Sequence, residues 1–226
     1  MNKRTICLVL TLVCALTMLA QHYNIVKNIA YTMKTDTYSA QRLKLDIYYQ
    51  EQATDLPVVV WFHGGGLTSG EKDFPYKLKE KNCVLVAVNY RLLPNVTIDQ
   101  TIDDAAEAVA WVMNHITEYG GSTKKMIVSG HSAGGYLTMM LALDKQWLDR
   151  YGKDANQIAA YVPFSGQAIS HFSYRKMKGI GELKPTVDEF APLFWYVRIV
   201  RPLYCSWATV SLNSLDAMRK MLIWLE

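Results

Sequence analysis

With 226 residues, 50% of them hydrophobic, 12% aromatic and only 19% charged, the chain has the make-up of a packed domain and not of a disordered one. Its net charge of +4 is scattered without a basic run or stripe, which speaks against a nucleic-acid partner. Four cysteines are too few for a disulfide scaffold.

Met1 to Arg4 is basic, Thr5 to Ala20 is almost wholly apolar, and the polar Gln21-His22-Tyr23-Asn24 follows. That order predicts a secretory signal over residues 1–20, cut after Ala20, and therefore a secreted or periplasmic mature chain. Left uncleaved, the same run would be a membrane anchor, although it is short of the roughly 20 residues that span a bilayer. No later stretch is apolar for long enough to cross, so the mature chain is expected to have no stable membrane span. Cys83 lies in the apolar run Cys83 to Val88 and reads as a small buried hydrophobe.

Leu43 to Tyr49 alternates apolar and polar residues and predicts a half-exposed strand. Pro57 to Phe62 and Cys83 to Asn89 are continuous and β-branched, as strands buried on both faces are. Glu71 to Lys81 has room for a short helix that Pro75 limits. Thr101 to Tyr119 carries apolar residues at three- and four-residue steps and predicts a helix that Gly120-Gly121 ends. Lys125 to Ser129 (strand), Ala133 to Leu143 (helix) and Ile158 to Phe164 (strand) continue the alternation. Strands alternating with helices predict an α/β fold, a mainly parallel sheet covered by helices on both faces. The segment 167–187 is irregular.

Two glycine-rich corners carry the chemistry. In His63-Gly64-Gly65-Gly66, directly after a buried strand, three glycines let the chain turn and let its N–H groups approach a ligand with no Cβ in the way. A plain tight turn has the same sequence, but the G-x-G-x-x-G spacing of a dinucleotide loop is absent. Gly130-His131-Ser132-Ala133-Gly134, followed by Gly135, sets a serine between a strand and a helix with glycines two positions to either side, the nucleophile-elbow pattern. Together the corners offer a hydroxyl and the N–H groups of Gly65, Gly66 and Ala133 for a developing oxyanion.

With Leu45-Asp46-Ile47-Tyr48-Tyr49, Val60 to Gly66, Val88-Asn89-Tyr90-Arg91-Leu92 and Gly130 to Gly135, the chain from about Val26 to Arg198 resembles the α/β-hydrolases, specifically exported bacterial carboxylesterases near the hormone-sensitive-lipase and feruloyl-esterase-like branches. The resemblance implies a serine carboxylic-ester hydrolase working through an acyl-enzyme on Ser132. It implies an oxyanion hole from Gly65, Gly66 and Ala133, a small-molecule ester as substrate, and neither metal nor cofactor.

A serine needs a histidine to take its proton and an acid to orient that histidine, in the chain order Ser, acid, His. After Ser132 the chain has one histidine, His171, with no convincing acid before it; Asp188 and Glu189 read as surface charges. Residues 199–226 lack the family's closing strand, acid and histidine. Shifted by one frame, the codons allowed for Trp207-Ala208-Thr209-Val210-Ser211 permit Gly-Asp-Arg-Glu, which relatives carry at this place. We therefore expect an incomplete hydrolase domain over 21–198 that lacks the last strands and helices, an aberrant frameshifted tail over 199–226, an open sheet edge, and impaired activity. The alternatives are a hydrolase that uses His171 as base and a non-catalytic remnant that binds acyl ligands.

Overall fold

The computed structural model describes residues 22–181 and 183–198. One sheet contains β1 (Tyr23–Ala30), β2 (Lys44–Gln50), β3 (Leu56–Phe62), β4 (Val84–Val88), β5 (Gly121–His131) and β6 (Ala160–Phe164), in the order β1-β2-β4-β3-β5-β6. The pairs β1/β2 and β2/β4 are antiparallel, and β4/β3, β3/β5 and β5/β6 are parallel. The helices are α1 (Thr37–Arg42), α2 (Ile98–His115), α3 (Ala133–Leu143), α4 (Gln146–Asp149), α5 (Phe172–Met177) and α6 (Pro192–Arg198).

Period-two alternation divides each parallel strand between two cores. Val58, Val60, Phe62, Val86 and Val128 pack on one face with Ile102, Ala105 and Val109 of α2 and Tyr136, Leu137 and Met140 of α3. Val59, Trp61, Leu85 and Ile127 pack on the other with Phe74, Leu78, Cys83 and Phe164. Among the described residues a 3-10 turn, Tyr76–Leu78, covers this second face where Glu71 to Lys81 had room for a short helix; Pro75 stands immediately before the turn. Burial pushes the Cys83 thiol up to about 12, so it packs as an inert hydrophobe.

Residues 133–143 are helical as the sequence predicts. α2 begins earlier than the apolar spacing implies, because the Gln100 side chain accepts the Thr97 N–H at 3.1 Å and closes the first turn. It tightens into a 3-10 turn at Ile116–Tyr119 and stops at Gly120, at φ 76°. β2 is not half-exposed: Leu45, Asp46, Ile47 and Tyr48 are all buried. Its polar alternation is absorbed by β1, which the sequence reading left out. Tyr23 stacks on Tyr48 at 5.0 Å, and the Asp46 carboxylate accepts the Asn28 N–H at 2.7 Å and pairs with Lys72 at 2.8 Å.

Behind β4, Arg91 and Asp104 form a buried bidentate pair, with Nε and Nη2 donating at 2.8 and 2.7 Å. Asp104 also accepts the Arg91 N–H at 3.1 Å and pairs with Lys34 at 3.3 Å. This ties α2 to the chain leaving β4. After β6 the irregular segment proves to be a stitched excursion. The Ser170 hydroxyl donates to Asp188 at 2.7 Å, Leu193 N–H to the Ala168 carbonyl at 2.8 Å, and the Tyr136 hydroxyl of α3 to the Phe190 carbonyl at 2.7 Å. Asp188 is thus a structural acceptor and not the surface charge expected. The outer edge of β6 pairs with no strand among the described residues.

Removing one member of a buried pair strands the other. Asp104→Ala is expected to cost about 3–5 kcal/mol in urea unfolding. Lys125→Ala, which breaks an exposed pair with Asp55, should stay within about 1 kcal/mol.

Candidate active site

Phe62, the last residue of β3, and His131, the last of β5, end side by side, so both glycine corners emerge at one end of the sheet. Ser132 turns the chain from β5 into α3 at φ 54°, ψ −111°, a conformation that costs a non-glycine residue on the order of 1–3 kcal/mol. Two bonds hold the turn: Ser132 N–H donates to the Phe164 carbonyl at 2.8 Å, and Tyr136 N–H to the Ser132 carbonyl at 2.9 Å. The glycines are needed for space. A Cβ at Gly134 would stand 2.0 Å from the Phe62 carbonyl oxygen, and one at Gly130 would stand 2.6 Å from the Gly134 backbone. Ser132 is half-buried, and no hydrogen bond takes up its hydroxyl among the described residues.

The His63 to Gly66 loop lies over this turn. A Cβ at Gly64 would be 3.2 Å from the His131 carbonyl and 3.6 Å from Ser132 Cβ. Its carbonyls are individually held. Gly64 C=O is 2.6 Å from His63 Nδ1, Gly65 C=O accepts from Thr68 N–H at 3.1 Å and Ser69 N–H at 3.0 Å, and Gly66 C=O accepts from the Ser173 hydroxyl. Because a trans peptide points its C=O and the next N–H in opposite directions, fixing the Gly64 and Gly65 carbonyls also fixes the N–H groups of Gly65 and Gly66. Those two N–H groups and that of Ala133 donate to no acceptor among the described residues.

His63 belongs to this frame. Facing a carbonyl, its Nδ1 must carry the proton, which leaves Nε2 as acceptor toward Arg42 Nη2 at 3.5 Å. Burial first, with the Arg42 charge adding to it, lowers its pKa to about 4 against the pull of the Gly64 carbonyl. The ring stacks on Tyr90 at 4.4 Å, and the Tyr90 hydroxyl donates to the His63 carbonyl at 2.8 Å. Arg42 ties the rest together, donating to the Tyr90 carbonyl at 3.2 Å and the Gly70 carbonyl at 3.1 Å and pairing with Glu71. Tyr90, Arg42 and Ser173 were not singled out from the sequence. Only the stretch Val88 to Leu92 pointed toward Tyr90. A polar cavity of ≈ 250 Å³ lined by Arg42, Glu71, Lys72 and Asn89 lies behind this frame and does not include Ser132.

His171 is buried, and as the residue capping α5 its Nδ1 accepts the Ser173 N–H at 3.3 Å. The proton of the neutral ring is therefore on Nε2. A base in a serine triad needs the opposite tautomer, Nδ1–H toward an acid and Nε2 open toward the serine. Burial, followed by the Arg175 charge, lowers its pKa to about 4. His131 is exposed, and His115 sits on the surface beside Glu118 at 2.9 Å. Among the described residues no group of three His, Cys, Asp or Glu side chains could hold a metal, and no helix is long and apolar enough to cross a membrane. The expected signal segment, residues 1–20, and the tail expected to be aberrant, residues 199–226, lie outside the described residues.

A mixed six-stranded sheet with a strand-serine-helix turn at the ends of its parallel strands defines an α/β-hydrolase fold. Residues 45–180 match the BD-FAE family model, and the chain belongs to the BD-FAE family. It is 36% identical over 118 residues to the probable carboxylic ester hydrolase LipM of Mycobacterium tuberculosis, covering 49% of this chain and 27% of that protein. It is 28% identical over 172 residues to the probable isoprenylcysteine alpha-carbonyl methylesterase ICMEL1 of Oryza sativa subsp. japonica, covering 67% and 40%. In both cases the match takes in well under half of the relative. Among solved structures, an inhibited esterase B from Lactobacillus rhamnosis aligns with TM-score 0.50 and 20% identity over 73% of this chain and 54% of that one.

Two outcomes are expected from the geometry. Gly134→Ala should yield no soluble folded protein, whereas Gly152→Ala, with open space but φ 65°, should cost only about 1 kcal/mol. Both buried histidines have folded pKa values below the unfolded 6.5, so between about pH 6.5 and 4 the unfolded chain binds more protons. Stability is full above about 6.5 and declines as pH falls, by up to about 1.4 kcal/mol per pH unit for each histidine. Urea midpoints from pH 7 to 4.5 should show that slope, and His171→Asn should reduce it.

Proposed function

We propose that this chain carries the nucleophile and oxyanion hole of a serine carboxylic-ester hydrolase acting on small-molecule esters. The observation that carries the reading is the strained Ser132 beneath a loop whose carbonyls are all held, with its hydroxyl and the loop's N–H groups at Gly65 and Gly66 unused among the described residues. Ser132 Oγ adds to the ester carbonyl carbon as a base takes its proton. The N–H groups of Gly65, Gly66 and Ala133 stabilise the tetrahedral oxyanion, the alcohol leaves with the proton, and water then releases the acid from Ser132. One oxyanion donor is worth roughly 3–4 kcal/mol in such a step. The chemistry calls for neither metal nor cofactor. The curated relatives named above are hydrolases of carboxylic or methyl esters, which supports the same reaction class here.

In this reading the base is not His171, whose Nδ1 is occupied as an acceptor. The acid is the one encoded one frame away under Ala208 and Thr209, the base lies further along that frame, and this chain retains only the residual catalysis, roughly 10³–10⁴ over water, that oxyanion donors and binding sustain without a triad. The signal segment makes the setting of the reaction periplasmic or extracellular. The test is p-nitrophenyl acetate hydrolysis by this chain and by a version restored to the other frame, each with and without Ser132→Ala. Restoration should raise turnover by about 10³-fold or more, and Ser132→Ala should abolish the gain. A restored enzyme indifferent to Ser132→Ala would sink the assignment of the nucleophile. A gene without Gly-Asp-Arg-Glu in the shifted frame would sink that of the tail.

A further inference from the structure

The excursion after β6 returns to the site at one place. α5 begins with Phe172 and Ser173, and both reach Gly66. The Ser173 hydroxyl donates to the Gly66 carbonyl, and a Cβ at Gly66 would stand 3.0 Å from Phe172 Cζ and 3.7 Å from Cε2. The Phe172 ring therefore occupies the side of Gly66 that any other residue would fill with its own side chain. The ring is positioned from behind. Phe172 N–H donates to the Gln167 side chain at 2.9 Å, and His171, at 4.5 Å from the ring, leans on Tyr136 of α3. Phe172 itself is only half-buried.

By backbone geometry the tip of the ring lies within about 5.5 Å of the Gly66 nitrogen. A carbonyl oxygen accepting from that nitrogen at about 2.9 Å therefore sits on a loop flanked by the Phe172 ring, and an ester arm that extends past Gly66 on this side meets the ring. We propose that Phe172 limits the size of the ester arm lying on its side of the oxyanion loop, and so restricts the substrates to esters with one short arm. The proposal rests on the hydrolase reading above, since it takes Gly66 N–H as a carbonyl donor.

The test compares this chain with Phe172→Ala and Phe172→Trp on two series: p-nitrophenyl acetate, butyrate and octanoate, and methyl, butyl and octyl acetate. Ser132→Ala supplies the background. Phe172→Ala should raise the long-to-short ratio of kcat/KM about tenfold or more in one series, and Phe172→Trp should lower it in the same series. A merely structural role would depress all substrates in parallel with either variant, and that result, or unchanged ratios in both series, overturns the proposal. Where the missing acid and base leave the unsubstituted chain without Ser132-dependent turnover, the ratios are read in the version restored to the other frame, and absence of Ser132-dependent turnover there counts against the hydrolase reading instead. Equilibrium binding of the same esters in the Ser132→Ala background then decides the question. Selective tightening of a long ester by Phe172→Ala supports the size limit, and equal affinities overturn it.

Discussion

The site depends on a contact that leaves no room for a methyl group. α3 starts so close to the end of β3 that Gly134 meets the Phe62 carbonyl where a Cβ would be 2.0 Å away. Because the His63 to Gly66 loop begins with the next residue after Phe62, this approach fixes the separation of hydroxyl and N–H groups. Gly130 and Gly134 therefore do more than permit a turn. They bring two segments of the chain that are far apart in sequence to within one side chain's thickness of each other.

Beneath the loop is a polar frame whose parts do different work. His63 is a neutral spacer, held by its own neighbour's carbonyl and by Tyr90, and its depressed pKa keeps an unwanted positive charge out of a buried place. Arg42 reaches four acceptors from α1. Next to Tyr90 in sequence, Asn89 donates to Glu71 at 2.6 Å and accepts the Lys72 N–H at 2.6 Å, while Arg91 locks onto Asp104. Three consecutive residues after β4 thus fasten the His63 to Gly66 loop, the following loop and α2. Satisfied buried networks of this kind hold a single arrangement, and half-satisfied ones do not.

Much of the fold was legible because the local signals agreed. Pro57 to Phe62 read as a two-sided strand, Gly120-Gly121 as a helix stop, and the elbow from its glycines and from the strand and helix predicted around it. What escaped was set by partners remote in sequence. β1 has too mixed a pattern to stand alone, and becomes a strand by pairing with β2 and stacking Tyr23 on Tyr48. Asp188 looked like a surface charge until Ser170 was found against it. The tautomer of His171 follows from a helix start at Phe172 that the irregular segment around it concealed. Phe172 carried no motif, and its meaning comes only from its position over Gly66.

The clasp between Ser173 and Gly66 joins residues 107 positions apart. During synthesis, at about 5–20 residues per second, the loop therefore emerges roughly 5 to 20 s before the segment that covers it. Through that interval the glycine loop lacks the ring and the hydroxyl that later restrain it. The order of assembly thus leaves the loop unrestrained until Ser173 has been made, and the chain depends meanwhile on keeping its apolar strands from pairing elsewhere.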